Sequence, residues 1–395
     1  MHCVHQSLLL DMTRRQTLIA RSIVHCILTT TPIGEPARHP SFLSTVLRLF
    51  RLYWLTFALV QPDLFRALRG VWHIKEEDYR ASFGAESARD HNSRSIKKKH
   101  KKKDVLNSMG DMGYSGSTFF KTNDHAYLVK SIPRRFEHDF FKNELLIPYA
   151  EHMQKYPASL LVRITNLLVR AHKSIGEVLG LAPSHHIVME NILYGQNHNA
   201  EDEDQPTWES WDLKPTSYFF PERDIAGGML ASEATKSKLA DKFEGKIKLT
   251  KADAIQFQEL LERDTQLLFD NNAVDYSLFL VRIPAADAHD PESQRPLVAG
   301  QEGNEPVPPA QPPFSPPNLP SWRTGVLSSD GKEIYRASIL DFFWAKHTFR
   351  AKAMTGLVEG YNLIDDQGPM SITAESDDYR NRFLQMCDEI VDIEE

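Results

Sequence analysis

Apolar and polar residues alternate along part of the chain in a way that predicts a β-hairpin followed by a helix. Residues 117–121 and 126–132 form two strand-like runs, and Asn123-Asp124 between them is typical of a tight turn. Residues 140–153 then repeat apolar side chains at helical spacing. This stretch therefore predicts two paired strands with a helix close behind them.

The rest of the chain predicts a long helix between buried strands. Thr250 is a favourable N-cap for a helix over residues 251–269, whose apolar positions repeat with the helical period. Further strands are predicted over residues 160–171, 187–194, 276–283 and 337–343. Strands with one helix, followed by a second helix and two more strands, indicate an α+β fold with two lobes.

Two stretches have compositions that favour disorder. Residues 85–103 are polar and end in a block of six lysines and one histidine, which cannot pack. Residues 284–332 are rich in Pro, Ala, Gly and Ser, which favours extended polyproline structure. We predict a single domain over residues 1–395, with an N-terminal lobe at 1–190 containing the first stretch and a C-terminal lobe at 191–395 containing the second.

Composition excludes several classes of protein. The chain of 395 residues has a mean hydropathy of −0.40, and no stretch approaches the roughly 20 apolar residues of a membrane-spanning helix. Its first residues do not have the pattern of a signal peptide. Three cysteines without metal-binding spacing favour a reducing cytosolic or nuclear compartment.

Charge is distributed unevenly along the chain. Residues 1–103 hold 18 Lys and Arg against 8 Asp and Glu, a formal charge of +10. Because the whole chain has a net charge of −7, the remaining residues carry −17. This contrast indicates that a basic face meets phosphate-rich material, either an anionic membrane or nucleic acid. The lysine block lacks interleaved aromatic residues and any known nucleic-acid module, so we expect a membrane partner and no nucleic acid.

Glycines and a lysine around the predicted hairpin suggest contact with phosphate. Residues 110–117 contain three glycines, whose conformational freedom lets successive backbone N–H groups turn toward an anion. Lys130 ends the apolar return strand, where a lysine can reach nucleotide phosphates. Each feature alone is more typical of a flexible turn or of a solvent-exposed lysine.

Two aspartates stand directly beside apolar strands. Asp275 precedes one predicted strand, and Asp341 lies within the other. An acid so close to buried residues is costly unless it is paired or bound to a cation. Two such acids suit phosphoryl transfer, in which one accepts the proton of the attacking hydroxyl and the other holds Mg²⁺. The alternative is a pair of carboxylates hydrogen-bonded to loops.

Short motifs along the chain resemble those of the phosphatidylinositol phosphate kinase family. In chain order they are Ser115-Gly116-Ser117-x-Phe119-Phe120, Leu128-Val129-Lys130-Ser131-Ile132, Tyr149-Ala150-Glu151-His152, Val188-Met189-x-Asn191, Asp212-Leu213-Lys214, Arg263-Asp264-x-x-x-Leu268, Val274-Asp275-Tyr276-Ser277-Leu278 and Ile339-Leu340-Asp341. The chain resembles a divergent, fungal-type member with a phosphatidylinositol 4-phosphate 5-kinase-like catalytic domain. The resemblance covers almost the whole chain outside the two stretches predicted to be disordered.

This resemblance implies a two-lobed, kinase-like α+β fold of the type shared with SAICAR synthase, with antiparallel sheets and flanking helices. It implies an ATP- and Mg²⁺-dependent lipid kinase, for which phosphatidylinositol 4-phosphate is the expected substrate and the 4,5-bisphosphate the product. The expected location is cytoplasmic, peripheral at the inner face of the plasma membrane, with a nuclear pool also open. A homodimer is compatible with this interpretation.

The resemblance also assigns roles to individual residues. Lys130 resembles the lysine that binds ATP phosphates, Asp275 the catalytic aspartate and Asp341 the metal-binding aspartate. Further nucleotide contacts are expected from Gly113, Ser115, Gly116, Ser117, Val188, Met189 and Lys214. Further contacts with lipid or phosphate are expected from Lys214, Arg223, Arg350 and Lys352.

Departures from the family pattern leave a second function open. Pro215 follows Lys214 where the family has glycine, which removes a backbone donor, and Tyr114 replaces a lysine of the glycine-rich loop. These changes favour the alternative of a catalytically impaired pseudokinase that acts as a phosphoinositide-membrane scaffold. An apparent one-residue insertion in the predicted helix leaves three acids open as the partner of Lys130: Glu137, Asp139 and Glu144.

Overall fold

The structure is a computed structural model in which the chain forms helices and mainly antiparallel strands. It describes residues 2–29, 55–84, 106–111, 117–171, 183–196, 208–215, 243–285, 321–346 and 374–394. The chain divides into two compact units. Unit 1 comprises Met1–Pro133 and Arg163–Asn191, and unit 2 comprises Arg134–Val162 and Ile192–Glu395. The predicted mixture of helices and antiparallel sheets is therefore confirmed.

Unit 1 is built on a six-stranded antiparallel sheet. Its strands are β1 (Phe57–Leu59), β2 (Leu106–Asp111), β3 (Thr118–Thr122), β4 (Tyr127–Ser131), β5 (Ile164–Arg170) and β6 (His185–Glu190). Their order across the sheet is β1-β5-β6-β4-β3-β2. Every residue of β6 is buried, as expected for a central strand that is covered on both faces.

The predicted hairpin is confirmed as β3 and β4. Thr122 Oγ1 donates a hydrogen bond of 2.6 Å to Asp124 Oδ1, and the backbone N–H of Ala126 donates to the same oxygen over 3.1 Å. A side-chain oxygen thus satisfies the turn backbone, which is the physical reason that aspartate favours turns. The strands predicted over residues 160–171 and 187–194 are also confirmed, as the shorter β5 and β6.

Three helices that the patterns did not predict belong to unit 1. They are α1 (His2–Thr29), α2 (Pro62–Val71) and α3 (Glu76–Ser82). The buried Arg69 guanidinium donates to Glu76 over 2.5 Å and to the Thr165 carbonyl over 2.6 Å. The Cζ atom of this guanidinium lies 4.4 Å from the centre of the Tyr79 ring. One arginine of α2 therefore joins α3 to strand β5.

The predicted helix over residues 140–153 is confirmed and extends further in both directions. It consists of α4 (Arg135–Phe140), a π-helical turn (Phe141–Leu145) and α5 (Leu146–Lys155). A π-helical turn holds one more residue than an α-helical turn, so it is the structure that a one-residue insertion into a helix produces. Phe141 and Leu145, at the two ends of this turn, are both buried.

Unit 2 contains a four-stranded antiparallel sheet and two short pairs of strands. The strands are β7 (Glu209–Leu213), β8 (Ile247–Thr250), β9 (Ala273–Val274), β10 (Ser277–Pro284), β11 (Val326–Leu327), β12 (Glu333–Leu340), β13 (Trp344–Ala345) and β14 (Val391–Glu394). The main sheet has the order β11-β12-β10-β7. β9 and β13 pair antiparallel, and β8 and β14 pair parallel. The strands predicted over residues 276–283 and 337–343 are thus confirmed as β10 and β12.

Two long helices complete unit 2, α6 (Lys251–Asp270) and α7 (Ser376–Glu389). The predicted N-cap is confirmed, because Thr250 Oγ1 accepts a hydrogen bond of 3.2 Å from the backbone N–H of Asp253. The fully buried Asp264 of α6 bonds to His152 Nε2 over 2.6 Å and accepts from the backbone N–H of Leu160 over 2.5 Å. This carboxylate joins α6 to α5 and to the segment after it.

The prediction of disorder throughout residues 284–332 is wrong at its C-terminal end. Trp322 is buried and packs on Phe257 with ring centres 4.1 Å apart. The neighbouring Arg323 is also buried and donates to the Leu161 carbonyl over 2.6 Å. The prediction was based on the average composition of the stretch, which does not reflect the contacts of these two side chains. Strand β11 follows them directly.

Other predictions about organisation have different outcomes. Residues 85–103 and 286–320 lie outside the described residues. The segment 134–162 groups with unit 2, whereas the prediction assigned all of residues 1–190 to one lobe. In the part of the chain that the structure describes, no helix is both long and apolar enough to cross a bilayer.

One buried histidine gives the stability of unit 1 a predictable pH dependence. His186 is fully buried on β6, where its ring meets Phe57 edge to face at 5.0 Å. Burial, followed by the nearby Arg170, lowers the pKa of His186 from 6.5 to about 3. Below pH 6.5 the unfolded imidazole therefore takes up a proton that the folded one does not.

We expect the free energy of unfolding to fall as the pH drops below 6.5, with His186 contributing up to about 1.4 kcal/mol per pH unit. His186→Phe keeps an aromatic ring and should flatten this slope between about pH 6.5 and 5, measured by urea unfolding. Substitution of the exposed His25 by Gln serves as the control and should retain the slope. Equal slopes in wild type and His186→Phe would contradict the prediction.

Candidate active site

The register of the unit 2 sheet brings the ends of three strands together. Leu213, the last residue of β7, pairs with Leu278 of β10. Ser277, the first residue of β10, pairs with Leu340, the last residue of β12. The residues that follow β7, precede β10 and follow β12 therefore all lie at one end of the sheet.

The charged residues that the sequence motifs singled out lie at these positions. Lys214 follows β7, Asp275 lies two residues before β10, and Asp341 follows β12. On the far side of the two acids, the chain pairs again, with Val274 opposite Trp344 in β9 and β13. Asp275 and Asp341 are thus held between two antiparallel pairings, which fixes both backbones.

Both aspartates adopt a left-handed backbone conformation. The φ angle is 65° at Asp275 and 61° at Asp341. Residues other than glycine rarely adopt this region, which costs on the order of 1 kcal/mol or more and persists where the surrounding structure enforces it. Such strain is concentrated at functional sites, and here it coincides with the two acids that the sequence singled out.

Lys214 and Asp275 form an ion pair. Lys214 Nζ lies 3.1 Å from Asp275 Oδ1, and the two side chains are 21% and 23% exposed. Burial opposes the charge on the Lys214 ammonium, but the carboxylates of Asp275, Asp212 and Asp341 outweigh it and raise the pKa of Lys214. Among the residues that the structure describes, Lys214 is thus a cation surrounded by three carboxylates.

Aromatic side chains support the segment that carries Asp341. Phe342 stacks on Tyr149 with ring centres 5.9 Å apart, and Phe343 meets Phe141 edge to face at 5.2 Å. Tyr149 Oη in turn donates to a backbone carbonyl over 2.8 Å. The helix at residues 135–155 thus fixes the two residues that follow Asp341.

The described residues of unit 1 that were predicted to contact nucleotide lie on β4 and β6 and directly before β3. Lys130 on β4 is 6% exposed, and its Nζ lies 5.4 Å from the centre of the Phe119 ring. Val188 and Met189 on β6 are buried, and Ser117 is buried just before β3. The strand-terminal lysine is therefore a buried side chain of the sheet. The solvent-exposed alternative does not hold for Lys130.

The three acids proposed as partners of Lys130 differ in their surroundings. Glu137, whose side chain is 14% exposed, pairs with Arg134 over 3.3 Å. Asp139 is 46% exposed and pairs with Arg135 over 3.1 Å. Glu144 is exposed on the π-helical turn. The choice among them remains a prediction.

Several predicted site residues lie outside the described residues. They are Gly113, Ser115, Gly116, Arg223, Arg350 and Lys352. Their roles remain predictions.

Sequence reasoning missed two residues at this end of the sheet. Asp212 lies two positions before Lys214 on β7, so both side chains are on the same face of the strand. Ser277 is fully buried, and within the described residues its hydroxyl has no hydrogen-bond partner. Asp212 could have been predicted, because residues two apart in a strand have their side chains on the same face. The burial of Ser277 could not, because it depends on the fold.

The acids fit a magnesium ion better than a metal held by protein ligands alone. Among the described residues, no group of three or more His, Cys, Asp or Glu side chains could hold a metal. Mg²⁺ usually takes one or two carboxylates together with water and substrate phosphates. Asp341, with the buried Ser277 hydroxyl close by in the sheet, matches that pattern of oxygen ligands.

Comparison with known proteins identifies the chain. A family model described as Phosphatidylinositol-4-phosphate 5-Kinase matches residues 100–390, which is most of the chain. This match defines its class as that of the phosphatidylinositol phosphate kinases, which are transferases. More specifically, the chain belongs to the phosphatidylinositol-4-phosphate 5-kinase family, and the resemblance seen in the sequence is confirmed. Membership implies ATP as the phosphate donor, typically with a divalent metal ion.

Two named relatives match shorter segments. A stretch of 166 residues, 41% of this chain, is 27% identical to "Phosphatidylinositol 4-phosphate 5-kinase its3" of Schizosaccharomyces pombe, of which it spans 19%. A stretch of 103 residues, 26% of the chain, is 31% identical to "Phosphatidylinositol 4-phosphate 5-kinase" of Plasmodium falciparum, of which it spans 6%. The matched part is therefore less than a fifth of each relative.

The left-handed backbone at Asp341 predicts an inverted order of stability between two variants. Asp341→Gly and Asp341→Ala both remove the carboxylate, but only glycine adopts a φ of 61° without strain. We expect the Gly variant to be more stable than the Ala variant by about 1 kcal/mol in urea unfolding. At the exposed helical position Glu259, which serves as control, Ala should be the more stable by about 1 kcal/mol. A preference for Ala at both positions would contradict the prediction.

Proposed function

We propose that this protein transfers the γ-phosphoryl group of ATP to a hydroxyl of the inositol ring of a phosphatidylinositol phosphate. The substrate we propose is phosphatidylinositol 4-phosphate, with the 4,5-bisphosphate as product. Family membership supports the reaction class. The observation that carries the proposal is the meeting of Lys214, Asp275 and Asp341 at one end of the unit 2 sheet.

Asp275 is the proposed general base. In the transfer, the inositol oxygen forms a bond to the γ-phosphorus, and the bond from that phosphorus to the β–γ bridging oxygen breaks to leave ADP. The hydroxyl proton passes to the Asp275 carboxylate and then to solvent. The Asp275 carboxylate lies at the strand ends, 3.1 Å from the ammonium of Lys214.

The remaining charged residues have electrostatic roles in the proposal. Lys214, fully charged among its carboxylates, would bind the transferred phosphoryl group, and Lys130 would bind phosphate oxygens of ATP. Asp341 would hold the divalent ion, which when bound neutralises charge on the phosphates. Val188 and Met189, both apolar, would contact the adenine ring.

The finer fold type is part of the same proposal. Two units of mixed helix and antiparallel sheet, together with the family match, support a two-lobed kinase-like fold of the SAICAR synthase type.

We also propose that the lysine block at residues 97–103 attracts the protein to anionic membranes. Six lysines near an anionic leaflet contribute about 1 kcal/mol each. The substrate resides in such membranes, so the proposed location is peripheral at the inner face of the plasma membrane. Nucleic acid is not a proposed partner.

Replacing Asp275 by Asn should abolish lipid phosphorylation without unfolding the protein. Asn tolerates a left-handed backbone and keeps the side-chain shape, but it accepts no proton at neutral pH. We expect labelling of vesicles that contain phosphatidylinositol 4-phosphate to fall by about 10²–10⁴-fold when radioactive ATP is supplied. Vesicles that each contain one phosphoinositide would establish the preferred headgroup.

Asp270→Asn, at the exposed end of α6, is the matched control and should retain activity. Undiminished labelling by Asp275→Asn would reject the role of general base. A wild-type protein that binds the vesicles but never labels them would instead support the scaffold function, which Pro215 after Lys214 favours.

Exchanging the six lysines of residues 97–103 for Gln should weaken binding to phosphatidylserine vesicles, measured by cosedimentation, by up to about 10⁴-fold, because each lysine contributes about 1 kcal/mol of attraction. The loss should shrink as the salt concentration rises, because salt screens surface charge. Gln at the exposed Lys155, Lys251 and Lys332 is the control and should change binding little. Unchanged cosedimentation of the six-lysine variant would contradict the proposed attachment.

A further inference from the structure

The hydroxyl of Ser277 is buried without a hydrogen-bond partner among the described residues. Ser277 has no exposed surface, and its Oγ makes no hydrogen bond to any residue that the structure describes. Buried hydroxyls are nearly always hydrogen-bonded, so one that is not calls for a ligand or another explanation. No account of the fold alone requires a hydroxyl at this position.

The position of Ser277 in the sheet points to the candidate site. Ser277 pairs directly with Leu340, the residue before Asp341. On its other side, the pairing of Leu278 with Leu213 places Lys214 next to Ser277 in the register. Directly opposed residues on neighbouring strands have their side chains on the same face of the sheet. The hydroxyl therefore shares a face with Lys214, at the strand ends that carry both catalytic acids.

A second serine on the same face provides the contrast. Ser338 pairs with Phe279, two positions along from the pair of Ser277 and Leu340. Its Oγ donates a hydrogen bond of 2.9 Å to the Leu160 carbonyl. The hydroxyl away from the site thus has a structural partner, and the hydroxyl at the site has none among the described residues.

We propose that the Ser277 hydroxyl contacts the divalent cation–triphosphate group of the bound nucleotide, as an oxygen ligand beside Asp341. Mg²⁺ binds oxygen ligands, and serine or threonine hydroxyls serve in this way in nucleotide-binding proteins. The proposal rests on the proposed kinase function and adds a residue to its site. Ser277 is fully covered in this structure, so a neighbouring side chain moves when the ligand binds. Lys214 is suited to do so, because binding a phosphate takes its ammonium away from Asp275.

The first test separates a ligand contact from a structural hydroxyl without measuring catalysis. Ser277→Ala removes no hydrogen bond between described residues, so its melting temperature should equal or exceed that of wild type. Its affinity for Mg²⁺ with the non-hydrolysable analogue AMP-PNP, measured by titration calorimetry, should fall by about tenfold, the equivalent of one lost hydrogen bond to a charged group.

Ser338→Ala is the matched control for this test. It loses a buried hydrogen bond and should melt at a lower temperature, with its affinity for Mg²⁺ and AMP-PNP unchanged. If Ser277→Ala behaves like this control, the hydroxyl is structural and the proposal is overturned. Wild-type protein that binds no Mg²⁺ and AMP-PNP would overturn both this proposal and the kinase function. Wild-type binding with unaltered affinity in Ser277→Ala would overturn only the assignment of Ser277.

A thiol at the same position tests for direct contact with the metal. Sulfur is a poor ligand for Mg²⁺ and a good one for softer ions such as Cd²⁺. We expect Ser277→Cys to bind AMP-PNP weakly with Mg²⁺ and to recover most of the lost affinity with Cd²⁺. Ser338→Cys and Ser277→Ala should show no such recovery, which excludes effects of the native cysteines. Equal behaviour of all three variants would overturn the metal contact.

Discussion

The candidate site depends on the register of one antiparallel sheet. β10 lies between β7 and β12, so the end of β7, the start of β10 and the end of β12 meet at one edge of the sheet. Leu278 and Leu280 are buried on one face of β10, and Val281 and Ile283 are buried on the other, so a slip of one residue would exchange two packed faces. The hydrophobic cost of that slip fixes the position of Asp275 and Asp341 relative to each other. Core packing therefore determines the geometry of the charges.

The charges in turn compensate one another. A carboxylate close to buried strands is costly alone, and so is an ammonium with little exposure. Placing Lys214 among Asp212, Asp275 and Asp341 reduces both costs and leaves an excess of negative charge. Such an excess suits a site that takes up a divalent cation. Pro215 does not prevent this arrangement, since the Lys214 side chain reaches Asp275 although a backbone donor is missing after it.

Local patterns predicted the hairpin, two helices and the strands β5, β6, β10 and β12, and contacts between distant residues explain part of what they missed. The hairpin, the helix capped by Thr250 and the aspartates at the strand ends depend on neighbouring residues, and all could be read from the sequence. The pairing of Lys214 with Asp275 could not, because it requires the register of β7 and β10. The order around Trp322 was missed for the same reason, since its partner Phe257 lies on α6.

The π-helical turn has a consequence for any comparison of this helix with a helix that lacks such a turn. Each residue of an α-helix advances by about 100° around the axis, so one extra residue turns everything before it by about that angle. The turn confines this offset to Phe141–Leu145. An alignment without a gap to a helix that lacks the turn would therefore match the residues of Arg135–Phe140 to residues on a different face of that helix. Engineering based on such an alignment would alter a neighbour of the intended residue.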